Sequence, residues 1–148
     1  MSWYLKRFGD LSLPELYGIL LLRNQVFVVE QKCPYQDIDG YDANSWHLFV
    51  EDENENICAC LRILDKGQTF EGISIGRLAV RRDKREHGLA RKMVQKATDF
   101  VIETLHGNDI HIEAQVYIKN FYEKMGFKPC SDVFLEDGIP HIEMFLHR

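Results

Sequence analysis

The sequence predicts a mixed α/β fold, of the α+β kind in which one sheet is flanked by helices. Three observations predict it. Apolar runs at residues 46–51, 57–64 and 73–80 are rich in β-branched and aromatic side chains, and short polar turns join them as they join antiparallel neighbours. The third run feeds a basic turn and then a helical pattern at 91–102, RKMVQKATDFVI. A short strand, a helix and a last hairpin follow. No repeat, low-complexity stretch or linker interrupts the 148 residues, so a single domain over 1–148 is expected, long enough to bury a core without metal or disulfide support.

In chain order, residues 3–8 read as a first strand, ended by Gly9 and Asp10. Ser12, Leu13, Pro14 and Glu15 form a capping box with proline in the first turn, which starts a helix. Leu16, Ile19, Leu20, Arg23 and Phe27 then fall on one helical face, read as core packing. Residues 31–45 are a polar loop with three aspartates, Asp37, Asp39 and Asp42. A calcium loop would need a glutamate at the twelfth position from Asp37, where Leu48 stands, so calcium is not expected. The strands at 46–51 and 57–64 are joined by the polar turn DENEN, and 65–70 turns into the strand at 73–80. Beyond the 91–102 helix, 111–115 reads as a strand and 116–127 as a helix stopped by Gly126. The hairpin pairs 127–133 with 141–146.

Charge narrows the function classes. Eighteen Lys and Arg against 23 Asp and Glu leave a net charge of −5, the wrong sign for a nucleic-acid binder. No run of some 18 apolar residues exists, and the first residues lack a signal-peptide layout, so a cytoplasmic protein without membrane attachment is expected. Cys33, Cys58, Cys60 and Cys130 lack metal-ligand spacing and read as small buried hydrophobes in a reducing compartment; no metal is expected.

The informative stretch is 73–102. A strand entering a helix through a turn aims backbone N–H groups and the positive end of the helix dipole at one point, which makes an anion site. Arg81, Arg82, Lys84 and Arg85 rim the turn, and Gly88 admits a ligand close to the main chain. Neither the G-x-x-x-x-G-K-S/T of a P-loop nor the G-x-G-x-x-G of a dinucleotide fold is present. The turn instead contains REHGLA, an R-x-x-G-x-A that resembles the Q/R-x-x-G-x-G/A pyrophosphate loop of the GNAT superfamily of acyl-CoA-dependent N-acetyltransferases. FYEKMGF, ending at Phe127, resembles the second GNAT signature. The pattern RxxVFVVEQxCPYxDIDGxD from Arg23, with DGIPHI from Asp137, resembles the ElaA-like branch. Together these cover most of the chain and imply a GNAT-like acyl-CoA N-acyltransferase fold, a mostly antiparallel mixed sheet of about seven strands flanked by helices.

The resemblance implies acetyl-CoA as co-substrate and direct attack of a primary amine, on a small molecule or a protein, on the thioester. It implies that Leu78, Ala79 and Val80 pair with the pantetheine arm. The backbone from Arg85 through Glu86, His87, Gly88, Leu89, Ala90 and Arg91 would cradle the pyrophosphate, with charge added by Arg85 and Arg91. Tyr122 stands where the family commonly places the acid that protonates the departing thiolate. Gln115 replaces the asparagine that often bonds pantetheine, with Asn120 as the other amide nearby. Glu86 sits where glycine is common and must point outward. Glu30 and Glu113 are the candidates for general base, followed by His47 and His141. The three aspartates of 31–45 would suit a cationic amine if they border the cleft. The partners expected are the amine acceptor and at most a second copy of the chain as a homodimer. Two alternatives stand beside this reading: an acyl-CoA sensor without turnover, and a longer-chain acyltransferase of the acyl-homoserine-lactone synthase type.

Overall fold

The computed structural model describes residues 1–148. Eight strands form one sheet: β1 (Ser2–Arg7), β2 (Ser45–Glu51), β3 (Ile57–Leu64), β4 (Ile73–Val80), β5 (Asp109–Gln115), β6 (Lys128–Pro129), β7 (Phe134–Glu136) and β8 (Ile139–His147). The order is β1-β2-β3-β4-β5-β8-β6, with β7 on β8; every pairing is antiparallel except β4 with β5. Three α-helices complete the chain: α1 (Leu13–Arg23), α2 (Leu89–Glu103) and α3 (Lys119–Lys124).

Ser12 starts α1 as its sequence predicts. Its hydroxyl accepts from the Glu15 amide at 3.1 Å, and its own amide donates to the Glu15 carboxylate at 2.8 Å. The helix then widens into a seven-residue π-helix, Asn24–Glu30, a rare form that recurs beside functional sites. Helices cover both faces of the sheet. Under α2 and α3 lies the larger core, where Met93, Val94, Ala97 and Val101 of α2 pack on Ile63, Ile75, Ile112 and Met144. Under α1 lies a smaller one, with Ile19, Leu22 and Val26 against Phe49, Cys60 and Ala79.

Several expectations are corrected. The sheet expected to have about seven strands has eight, the terminal hairpin dividing into β6, β7 and β8. The helix expected over 116–127 is only six residues of α-helix preceded by a 3-10 turn, Val116–Ile118, although Gly126 does take the left-handed φ of +98° that ends it. Cys130 is exposed beside the two-residue edge strand, whereas Cys33, Cys58 and Cys60 are buried. Arg23, read as core packing on one face of α1, is buried as expected, only 1% exposed, and carries its charge into the interior.

That charge belongs to a balanced network of three arginines and three aspartates. Arg23 donates from Nε to Asp37 at 2.8 Å and from Nη1 to Asp42 at 2.7 Å. Arg62 of β3 bonds Asp39 at 2.6 and 2.8 Å and shares Asp42 at 3.0 Å. Arg77 of β4 pairs with Asp37 at 2.8 Å and Asp39 at 3.1 Å. Segment 31–45, which has almost no regular structure of its own, is thereby clamped to α1, β3 and β4. Burial alone would raise the Asp39 carboxyl, but hydrogen bonds from Arg62 and the Tyr41 amide outweigh it and hold it down to about 2.

Candidate functional site

Strands β4 and β5 run parallel but pair at only two positions, Ile73 with Ile110 and Ser74 with His111. Beyond them no pairing joins the strands, and the β5-facing backbone edge of β4 is left without a ladder partner. A bulge in β4 accompanies the parting. Gly76 pairs with Arg62 and Ala79 with Cys60, so Arg77 and Leu78 together oppose the single residue Leu61. Arg77 takes a left-handed φ of +51°, costly for a residue with a Cβ, and its ion pairs to Asp37 and Asp39 hold it there.

A cavity of about 520 Å³ opens at this parting. It reaches through the sheet, so groups from both faces meet in it. Tyr122 arrives from α3, Phe27 and Gln31 from the end of the first helical segment, and Glu113, Gln115 and His141 from β5 and β8. Tyr122 is 7% exposed and wedged edge-on against Phe121 and Phe127 at ring separations of 5.0 and 5.6 Å. Burial pushes its phenol up, so it stays protonated across the physiological range and can only donate. Glu113 is exposed, yet the surrounding protein raises it to about 7; partial burial contributes most, followed by the acidic neighbours Glu136 and Glu143.

At the far end of β4 the turn into α2 has two left-handed residues, Glu86 at φ +67° and Gly88 at +77°. Gly88 is the N-cap of α2 and supplies no side-chain cap, so the first amides of the helix keep their donors for a ligand. A Cβ built on Gly88 would meet nothing within 4 Å, so the approach to these amides is open. Leu89 is buried and anchors the helix start, Ala90 is half-buried, and His87 and Arg91 are exposed.

The sequence-derived candidates now separate. Tyr122, Glu113, Gln115 and Leu78 line the cavity; Ala79 and Val80 continue the β4 edge toward the loop. Asn120 faces solvent and does not line the cavity, so Gln115, whose amide donates to Gln31 at 3.2 Å, is the amide placed at the site. Glu30 is not on the cavity wall. Arg85 grips it with two hydrogen bonds of 2.6 and 2.9 Å, and that grip lowers its pKa, which disfavours it as a base. The same contact corrects Arg85: with its Nε bonded to the Val80 carbonyl at 2.8 Å, it braces the loop against the first helical segment rather than reaching for an anion. His47 is buried with Nε2 on the Asp42 carbonyl, and burial lowers its pKa. Of the three aspartates only Asp39 borders the cavity, and all three are engaged by arginine. Sequence reasoning missed Gln31, Arg77 and Glu136, whose places depend on the bulge and the last hairpin.

The acetyltransferase (GNAT) domain family model matches residues 18–147. The chain belongs to the GNAT acetyltransferase family. Within it, the chain is 38% identical to a UPF0039 protein of Schizosaccharomyces pombe over 99% of its own length and 97% of the relative's. It is 36% identical to protein ElaA of Escherichia coli over 97% and 95% of the two chains, and the ElaA crystal structure superposes with a TM-score of 0.91. An acyl-CoA N-acyltransferase from Pseudomonas aeruginosa superposes at 0.92 with 36% identity, covering 99% of both chains. The protein is therefore a GNAT-fold acyltransferase of the ElaA-like branch, and this fold generally binds acetyl-CoA or another acyl-CoA.

One residue of the GNAT loop fits it poorly. Glu86 takes the left-handed conformation that is costly for a residue with a Cβ, and sets an exposed carboxylate beside the amides at the start of α2. Glu86→Gly is expected to raise stability by up to about 1 kcal/mol, as a higher denaturant midpoint at unchanged m. It should also tighten CoA binding. A lower midpoint would mean that the Glu86 side chain contributes more than its backbone conformation costs.

Proposed function

We propose that this protein transfers the acetyl group of acetyl-CoA to a primary amine by direct attack of the amine on the thioester. One observation supports this reading above the others: the cavity at the parting of β4 and β5 carries a permanently protonated phenol, Tyr122, and a carboxyl raised to about 7, Glu113, beside the free edge of β4. Those are the two proton-handling groups that such a transfer needs. The β4 edge from Leu78 to Val80 and Gln115 would hold the pantetheine arm. The amides from Glu86 to Arg91 at the start of α2 would hold the pyrophosphate.

Glu113, ionised above about 7, takes a proton from the acceptor's ammonium and frees the nitrogen lone pair. As the C–N bond forms and the C–S bond breaks, nitrogen gives its second proton to solvent and Tyr122 gives its phenol proton to sulfur, which discourages return of the thiolate. Solvent reprotonates Tyr122, and the proton held by Glu113 is the one released per turnover. Because arginines already occupy Asp37, Asp39 and Asp42, the cavity carboxyls left to attract a cationic acceptor are Glu113, Glu136 and Asp137.

Calorimetric titration with acetyl-CoA, CoA and a long-chain acyl-CoA, followed by turnover with a panel of amines, tests the reading. Micromolar binding of acetyl-CoA, about −8 kcal/mol, with thiol release that depends on an amine, is the expected result. Failure to bind any CoA species overturns it, and binding without turnover returns the protein to the sensor class. Tyr122→Phe keeps the ring packing and should leave acetyl-CoA binding unchanged while lowering kcat by about 100-fold or more. An unchanged kcat would assign protonation of the thiolate to another group.

A further inference from the structure

We infer that Glu30 is a positioning residue for the cofactor: with its neighbour Gln31 it straps the end of β4 to the end of β5 across the gap through which the pantetheine arm would run. The inference rests on the reading of the β4 edge and the α2 amides as the acyl-CoA site. The ladder that would fix the distance between the two strands stops at Ser74 and His111, so their C-terminal ends are not paired directly. Side-chain contacts made by two consecutive residues take its place. Glu30 accepts from Arg85 at 2.6 and 2.9 Å, and Arg85 donates from Nε at 2.8 Å to the carbonyl of Val80, the last residue of β4. Gln31 accepts at 3.2 Å from the side-chain amide of Gln115, the last residue of β5.

Both residues stand where the π-helix ends. Phe27 and Gln31 line the cavity, whereas Glu30, between them in sequence, lies off its wall and turns to the loop before α2. The charges show that this contact is about geometry. Glu30 is a carboxylate beside a loop read as a phosphate site. It engages both terminal nitrogens of Arg85 and draws Arg82 to 3.8 Å, so on electrostatic grounds alone it weakens the attraction for an anion. Nor does it contribute much to global stability, because Glu30 and Arg85 keep 25% and 33% of their side chains exposed. What a bidentate arginine–carboxylate contact supplies is direction. It fixes the loop against the helical segment that carries Phe27 and Gln31, and Gln31 carries the tie on to β5. Pyrophosphate and pantetheine arm belong to one ligand, so a preset spacing between their two seats lowers the ordering cost of binding.

Calorimetry with acetyl-CoA and with adenosine 3′-phosphate 5′-diphosphate, the part of CoA without the pantetheine arm, separates the strap from the charge. Glu30→Ala removes a carboxylate and frees Arg85, so electrostatics alone would tighten both ligands. The strap predicts that acetyl-CoA weakens by about tenfold, the loss of one charge-assisted contact. The fragment does not span the gap and should bind as well as before or better. Glu30→Gln, which keeps an acceptor for Arg85, should lose less. Gln31→Ala, on the other arm of the strap, should also weaken acetyl-CoA alone, and the double variant should lose less than the sum because a strap cut once is already open. Thermal melts check that each variant stays folded. Tighter or unchanged acetyl-CoA binding in Glu30→Ala overturns the strap and leaves the acyl-CoA reading standing. Equal losses for acetyl-CoA and the fragment overturn it as well, since Glu30 would then support the loop alone, and so does a double variant that loses the full sum. Failure of the unsubstituted protein to bind either ligand overturns the acyl-CoA reading and the inference with it.

Discussion

Gly88→Asp is expected to weaken acetyl-CoA binding by two to three orders of magnitude while leaving the protein folded. Gly88 lies at φ +77°, and the space where its Cβ would stand is open, so the substitution disturbs no packing. Aspartate is among the residues that tolerate the left-handed region best, and the strain should cost about 1 kcal/mol. The ligand meets a different energy scale. A carboxylate about 4 Å from a phosphate repels it by roughly 4 kcal/mol at the effective dielectric near a protein surface, and each 1.4 kcal/mol is tenfold in Kd. Calorimetry reads the loss of affinity and a thermal melt reads the retained fold. Gly88→Ala, which carries the strain without the charge, should lose far less. Undiminished binding in Gly88→Asp would mean that the pyrophosphate does not seat on the amides at the start of α2.

The second large effect concerns stability. Arg23→Ala removes three donors from Asp37 and Asp42 at a position only 1% exposed, and both carboxylates are themselves buried. Breaking a buried pair from one side leaves uncompensated charge, a loss of about 3–5 kcal/mol. Against a total of roughly 5–15 kcal/mol for a domain of this kind, that is a large part of the whole. A fall in Tm on the order of 10 °C is expected. The loosened 31–45 segment should also release Arg77 and disturb the bulge in β4, so cofactor binding should weaken along with stability. Replacing all three arginines and all three aspartates of the network by apolar residues of similar volume should cost much less, because no orphaned charge remains. If the single and sixfold variants were equally unstable, the network would be acting through packing alone.

The network also sets an acid limit on stability. Asp39, held down to about 2, and Asp42, held low by Arg23 against the opposing effect of burial, have folded pKa values below those of the unfolded chain. Their contribution is therefore fully present above the ordinary aspartate range near 3.8 and is lost as pH falls toward about 2. Glu113 has the opposite sign. Raised to about 7, it releases its proton less readily in the folded state than in the unfolded chain, so it opposes folding as pH rises from the ordinary glutamate range toward neutrality. A cavity that holds a carboxyl in this state does so at a cost to the fold.

A few consecutive residues suffice for part of this fold. The capping box at Ser12 and Glu15 closes within one helical turn, and the strand at 73–80, the left-handed Gly88 and Gly126, and the FYEKMGF helix that carries Tyr122 are similarly local. Their hydrogen bonds and dihedral preferences need no distant partner, and the two GNAT signatures are built from them. Tertiary structure alone decided which charges pair and where the sheet opens. Glu30 meets Arg85 across 55 residues, and Arg62 meets Asp39 across 23. The helical spacing of Arg23 predicted its burial but not the aspartates that make burial tolerable. Nothing local marks the end of pairing after Ser74 and His111, because a strand reads the same whether its edge is bonded or free. Long-range electrostatics and strand register settle such questions, and both exist only once the chain has folded.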